Sequence, residues 1–203
     1  YLVQGARSYL IPASLEQAGV VRALGFTAEQ IRDGREGWLA LFASSADIVA
    51  FEIEGAGGVP AGALGQIAGV SVGTVVTRDG SGESYVALAD GRLARLNPFS
   101  EAVYATRPAT DPGVVTLAAA DLATIEEVPL EESPVPSSWP TTLAQPIAQD
   151  AGACAQLDAA AFGAELVSGE LEPAAAVSIK PGTGALALFV AAAETTEGPV
   201  RFI

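Results

Sequence analysis

The clearest alternation of apolar and polar positions lies in residues 82–122. Tyr85-Val86-Ala87-Leu88 and Leu93-Ala94-Arg95-Leu96 are two strand-like runs, with Asp90-Gly91 between them. That placement predicts a hairpin, because glycine accepts the positive φ that a tight primed turn demands. Pro98-Phe99-Ser100-Glu101-Ala102-Val103-Tyr104 predicts a short helix with proline near its start, and Pro108 and Pro112 close the segment after it. Val114-Val115-Thr116-Leu117 is a third β-like run, succeeded by Ala-rich residues.

The same order of strand, turn, strand, helix and apolar run opens the chain. Residues 1–12 read as two short strands around Gly5. Residues 14–18 begin a helix that carries Val20, Val21, Ala23 and Leu24 to Gly25, a residue suited to ending it. Thr27-Ala28-Glu29-Gln30 has capping-box spacing, with Thr27 as cap and Gln30 reaching back, so another helical turn is expected. Gly37-Trp38-Leu39-Ala40-Leu41-Phe42 is the closing apolar run and aligns with Gly113-Val114-Val115-Thr116-Leu117. An internal duplication is the expectation.

These patterns predict an α+β fold: small strand-hairpin/helix repeats plus part of a β-rich central domain. The expected boundaries are a first repeat over 1–48, a Gly-rich connection and strand over 49–82, and a second repeat over 83–122. A Pro-rich crossing segment (123–149) and a β-rich part (150–203) complete the chain. Val70-Ser71-Val72-Gly73-Thr74-Val75-Val76 is expected as a strand. Residues 126–146, with five prolines and four glutamates, cannot form one regular element, since each proline removes a donor and fixes φ. In the tail, Leu166-Val167, residues 176–179, 185–190 and 200–203 read as strands, with Lys180-Pro181-Gly182-Thr183-Gly184 turning at Gly182.

Composition narrows the function. The formal net charge is −14 and Lys180 is the only lysine, so no basic face exists to track a phosphate backbone, which excludes nucleic acid as a partner. Cys154, the one cysteine, is either a buried thiol or half of a bridge to residues outside this chain. No apolar run reaches membrane-spanning length. The sequence starts inside a strand pattern, has no methionine and ends on an apolar run, so a piece of a longer protein is expected.

Candidate chemistry is sparse. The absence of histidine removes Ser/His/Asp triads, Cys/His pairs and His metal ligation. Gly55-Ala56-Gly57-Gly58 lacks dinucleotide-loop spacing, and Lys180 precedes its glycines where a phosphate loop has the lysine after them, so neither binds a nucleotide. Glu52 and Glu54 flank Ile53 and would share a strand face, a solvated face being favoured over a cation site. Trp38 is expected in the core and Trp139, between Ser138 and Pro140, as a surface contact. No catalytic, cofactor or metal site is expected.

Several segments together resemble the periplasmic part of EccB, a core component of the actinobacterial type VII (ESX) secretion machinery. They are Arg7-Ser8-Tyr9-Leu10-Ile11-Pro12, Ala23-Leu24-Gly25, Val72-Gly73-Thr74-Val75 and Tyr85-Val86-Ala87-Leu88-Ala89-Asp90-Gly91. Cys154-Ala155 and Pro181-Gly182-Thr183-Gly184-Ala185-Leu186 extend the likeness into the tail. Leu41-Phe42-Ala43-Ser44-Ser45-Ala46 departs from it, replacing a Pro/Gly turn. The resemblance implies an elongated, non-catalytic assembly module on the periplasmic side, the ectodomain of a single-pass membrane protein whose membrane segment is not in this chain. It implies neighbouring secretion subunits as partners, leaves a second copy and peptidoglycan open, and pairs Cys154 with a cysteine outside this chain. Members are sometimes labelled ATPases, but no residue here supports that. The alternatives are a peptidoglycan-binding module and, less favoured, a wall hydrolase using Glu52 or Glu54.

Overall fold

In the computed structural model, which describes residues 1–14, 19–34, 36–107, 113–148, 151–158, 163–169 and 200–202, short helices and strands mix in several small sheets. The expected α+β class holds. The expected opening of the first helix at 15–18, the closing prolines Pro108 and Pro112, the strands at 176–179 and 185–190, and the Gly182 turn lie outside the described residues. The chain divides into two compact units, one of Tyr1–Ser8, Thr27–Ser44 and Gln145–Ile203, the other of Tyr9–Phe26 and Ser45–Ala144.

In the first unit, strands Leu2–Gln4 and Arg7–Tyr9 form the hairpin expected around Gly5, and Ala43–Ser44 adds in parallel beside the second. A longer antiparallel hairpin joins Gly152–Asp158 to Gly163–Gly169, and the Leu166 amide donates to the Gly5 carbonyl (2.8 Å). Val200–Phe202 pairs with Arg32–Gly34. The Thr27 capping box forms and starts a single 3-10 turn over Ala28–Gln30, the Thr27 amide donating to Gln30 Oε1 at 2.7 Å. The closing apolar run 37–42 starts in a helical turn, Glu36–Leu39. Its apolar residues repeat at helical rather than strand spacing, so Leu39 and Phe42 turn inward together while Ala40 is exposed. Trp38 meets Phe42 edge-on, centroids 4.8 Å apart, in a core of Val3, Leu39, Phe42 and Ala164.

The second unit is built on a four-stranded sheet. Leu93–Leu96, Ser84–Ala87 and Val75–Arg78 run antiparallel in succession, and Val114–Leu117 joins the last in parallel. Strand alternation sends Val76, Tyr85, Ala87, Leu93 and Leu117 to one face, where Leu64, Val70 and Ile125 close over them. Helix Pro98–Tyr104 lies against Leu93–Leu96, and helix Val20–Ala23 lies against that helix. Asn97 caps the longer helix reciprocally, accepting from the Ser100 amide and donating its own amide to Ser100 Oγ, both at 2.9 Å. Helix Val20–Ala23 ends in paired bonds from Gly25 to Arg22 and from Phe26 to Val21, with Gly25 at φ +91°, the geometry of a Schellman stop.

Three expectations are corrected by the second unit. The hairpin turn is a three-residue loop, not a two-residue primed turn. The Gly91 amide donates to the Leu88 carbonyl and the Leu88 amide to that of Arg92, leaving the Arg92 amide to Asp90 Oδ1. Gly91, at φ +86°, supplies the left-handed residue of that loop. The strand expected from Val70 begins only at Val75, because Gly69 and Gly73 take positive φ and Val72 exchanges hydrogen bonds with Gly57 and Gly58. Trp139 is 3% exposed, not a surface contact. Its ring meets Phe51 and Phe99 edge-on, each at 5.9 Å, and its Nε1–H donates to the Asp47 carbonyl at 2.9 Å.

Three outcomes are expected in denaturation experiments. A Cβ at Gly91 would overlap the Ala61 carbonyl, whereas one at Gly80, also at positive φ, meets nothing. Gly91→Ala should therefore cost more than the roughly 1 kcal/mol of backbone strain that Gly80→Ala incurs; equal losses would refute the close approach. Trp139→Ala should cost about 3–5 kcal/mol and Trp139→Phe about 1–3 kcal/mol, the latter through the stranded Asp47 carbonyl. Glu83 bridges Arg78 (2.9 Å) and Arg95 (2.8 Å), and the hydrogen bond from Arg78, then the charge of Arg95, hold its carboxyl below the usual range. The unfolded state thus binds more protons than the folded one between the two pKa values, so this contribution is complete above the unfolded value. It is lost as pH falls through the folded one. Any stability advantage over Glu83→Gln should be present near neutral pH and be lost as the pH falls through the depressed folded value of this carboxyl.

Candidate functional site

Several separate segments of the second unit converge at the Asp90-Gly91 turn. Arg92 folds back to hold Asp90 Oδ2 with its Nε (2.8 Å) and reaches Glu132 Oε2 with a terminal nitrogen (2.8 Å). Burial works against the charge on Asp90, but the Arg92 amide and guanidinium outweigh it and hold its carboxyl low. Glu132, then Asp90, raise the pKa of Arg92 still further, so it stays cationic. The Glu132 contact brings the 3-10 turn Leu130–Glu132 to the hairpin. Behind it the Leu93 amide donates to Glu126 and the Val128 amide to Leu93 (each 2.9 Å), which covers that sheet edge with the Pro-rich segment.

The Gly-rich connection arrives at the same turn. The Ala61 amide donates to the Ala89 carbonyl at 3.0 Å, and Gly91 lies flat against Ala61 with no room for a side chain. On its other side, Gly65 approaches the Pro60 carbonyl just as closely. Gly57 and Gly58 are fixed by Val72. The loop that reads as a flexible connection is therefore held at both ends, and it presents Val59 at 81% exposure beside buried Pro60. Leu130, on the neighbouring turn, is 68% exposed.

A second polar cluster is internal. The Tyr104 hydroxyl donates to the Gly73 carbonyl (2.9 Å), Arg107 donates to the same oxygen (3.1 Å), and the guanidinium lies 3.2 Å above the Tyr104 ring. Burial raises the pKa of Tyr104, against the opposing charge of Arg107, and lowers that of Arg107. Phe51 stacks on Tyr104 at 4.9 Å. This arrangement braces the entry to Val75–Arg78.

Cys154 is exposed on the Gly152–Asp158 strand, opposite Val167, so it is not a buried thiol; among the described residues it has no disulfide partner. Glu52 and Glu54 are exposed but do not share a strand face, since residues 51–54 form no strand. Among the described residues no group of three His, Cys, Asp or Glu could hold a metal ion, and no helix is long and apolar enough to cross a membrane. Sequence reasoning places Asp90, Gly91 and Gly25 at turns but misses Val59, Leu130 and the Arg92–Glu132 pair. The signal for Val59 is a lone bulky residue between glycines and a proline.

Comparison with known proteins supplies the rest. A search of curated proteins gives no match. Among solved structures, a chain of the periplasmic assembly from the ESX-5 inner membrane complex is similar, with a TM-score of 0.53 and 17% identity over 87% of this chain and 47% of that one. A chain of an intact ESX-5 inner membrane complex gives a TM-score of 0.48 and 18% identity over 87% and 41%. This chain thus spans about half the length of the solved chains it matches, and the first likeness concerns the fold. Residues 1–196 match the family described as type VII secretion system ESX-1, transport TM domain B. With nearly the whole sequence matched, the chain belongs to the EccB family of type VII secretion.

Proposed function

We propose that this chain is a non-catalytic, periplasmic structural module of a type VII secretion membrane complex and that its surfaces meet neighbouring subunits to support protein export. The observation that carries this reading is the family match over residues 1–196. Its fold likeness to a chain of the ESX-5 periplasmic assembly points the same way. The physical features agree with a contact role. Charged side chains at the hairpin turn are paired with each other, and the Trp139 and Tyr104 rings are buried rather than displayed for stacking on a sugar. The module is read as the ectodomain of a membrane-anchored protein, and the exposure of Cys154 supports a bridge to a cysteine outside these residues.

The test is detergent extraction of the envelope from cells carrying a tagged protein, then separation by size and an export assay. The protein should migrate with several different subunits in an assembly far larger than the 20.5 kDa chain, and deleting its gene should stop export until the wild-type gene is restored. Migration alone, or export indifferent to the deletion, would overturn the reading. Salt-resistant retention of the purified chain on insoluble peptidoglycan, beside an equally acidic control that washes off, would move it to wall binding.

A further inference from the structure

We infer that the end of the second unit bearing the Asp90-Gly91 turn is a docking surface for another protein, one whose contact face offers an apolar recess rimmed by lysine or arginine. The inference rests on the assembly reading for its setting and on three observations for its content. First, Val59 is the most exposed large apolar residue among those described, and Leu130 is next at 68%. Each lies two residues before a contact with the same turn: Ala61 against Gly91, and Glu132 on Arg92. Second, Val59 is displayed on a backbone held by close contacts on both sides. The Ala61 and Pro60 carbonyls each lie against a glycine with no space for a methyl group, and Ala61 is also hydrogen-bonded to Ala89. A side chain held out in this way loses little further freedom on binding, which is the condition for an anchoring contact.

Third, the surroundings define the partner's charge. Asp90 and Glu132 are exposed at the turn, Glu131 is exposed beside Glu132, and Glu54 is exposed next to Gly55, which packs against Ala89; Arg92, the cation at the turn, is already engaged by Asp90 and Glu132. A second copy of this chain would bring the same carboxylates face to face, which is repulsive, and its surface, with a net charge of −14, has little to answer them. A basic rim on a different subunit does answer them, steering the encounter while Val59 and Leu130 enter its recess.

A photo-crosslinking residue placed at position 59 of the protein in cells tests this, with position 114 as the comparison. Val114 is 67% exposed in the same unit but lies on the far strand of the sheet. Irradiation should give an adduct from position 59 that maps to apolar residues flanked by lysine or arginine on another protein, at a site not labelled from position 114. Reversing charge with Glu54→Lys and Glu131→Lys together should lower its yield about ten-fold, with the fold checked by thermal denaturation. No adduct from 59, an adduct to a second copy, or a yield indifferent to the reversal would overturn the inference. An intact secretion assembly without the adduct refutes the docking surface alone. The adduct on a basic-rimmed protein outside any such assembly upholds it and refutes the assembly role.

Discussion

The indole of Trp139 closes a chain of aromatic contacts that no local interaction could replace. Residues 45–54 and 126–146 have almost no regular structure of their own, so their backbone groups and side chains must be ordered by something they touch. Trp139 does this from within the Pro-rich segment. Its ring meets Phe51 from one irregular stretch and Phe99 from the capped helix, while its N–H satisfies the Asp47 carbonyl. Phe51 passes the contact to Tyr104, whose hydroxyl reaches Gly73 at the start of the sheet. Remove the indole and both loops lose their common anchor, along with a donor for a carbonyl held close to it.

Glycine performs the complementary task where segments must approach too closely for side chains. At Gly91 and Gly65 the limit is the neighbouring backbone, Ala61 and Pro60, not the glycine's own φ alone. These approaches convert a Gly-rich stretch, which by composition suggests a flexible linker, into a fixed projection. Flexibility is a property of glycine in an unfolded or solvated chain; against a neighbouring backbone the same residue permits the tightest contact available.

Local pattern makes much of the second unit legible before any coordinates. The hairpin strands, helix Pro98–Tyr104 and strand Val114–Leu117 emerge from alternation, proline position and β-branching, which are short-range causes. The misreadings come from causes outside the local window. The alignment of 37–42 with 113–117 sets a helical turn against a strand, since the spacing of Trp38 and Leu39 to Phe42 is helical. Val70 and Val72 alternate like a strand, but Gly69, Gly73 and the pairing of Val72 to Gly57 and Gly58 divert the chain. The polar and proline neighbours of Trp139 in sequence suggest a surface residue, whereas its partners lie about 40 and 90 residues away. Of the proposed docking end, Asp90-Gly91 is visible as a turn. Val59 and Leu130 are not, because exposure depends on what the rest of the chain fails to cover.

The family assignment and the physics meet on the question of how so acidic a chain recognises anything. It has one lysine, no histidine and few aromatic residues, and the strongest aromatic contacts are spent inside. Exposed carboxylates are strongly hydrated and give little net affinity by themselves, though they set which partners approach. Affinity then has to come from small apolar contacts made at low entropic cost, and such contacts require a backbone already in its bound shape. A glycine-clamped loop with a single projecting valine, set among carboxylates, meets that requirement without any catalytic group. On the proposed reading as a structural module, this is sufficient reason for a loop of such composition to be held so firmly.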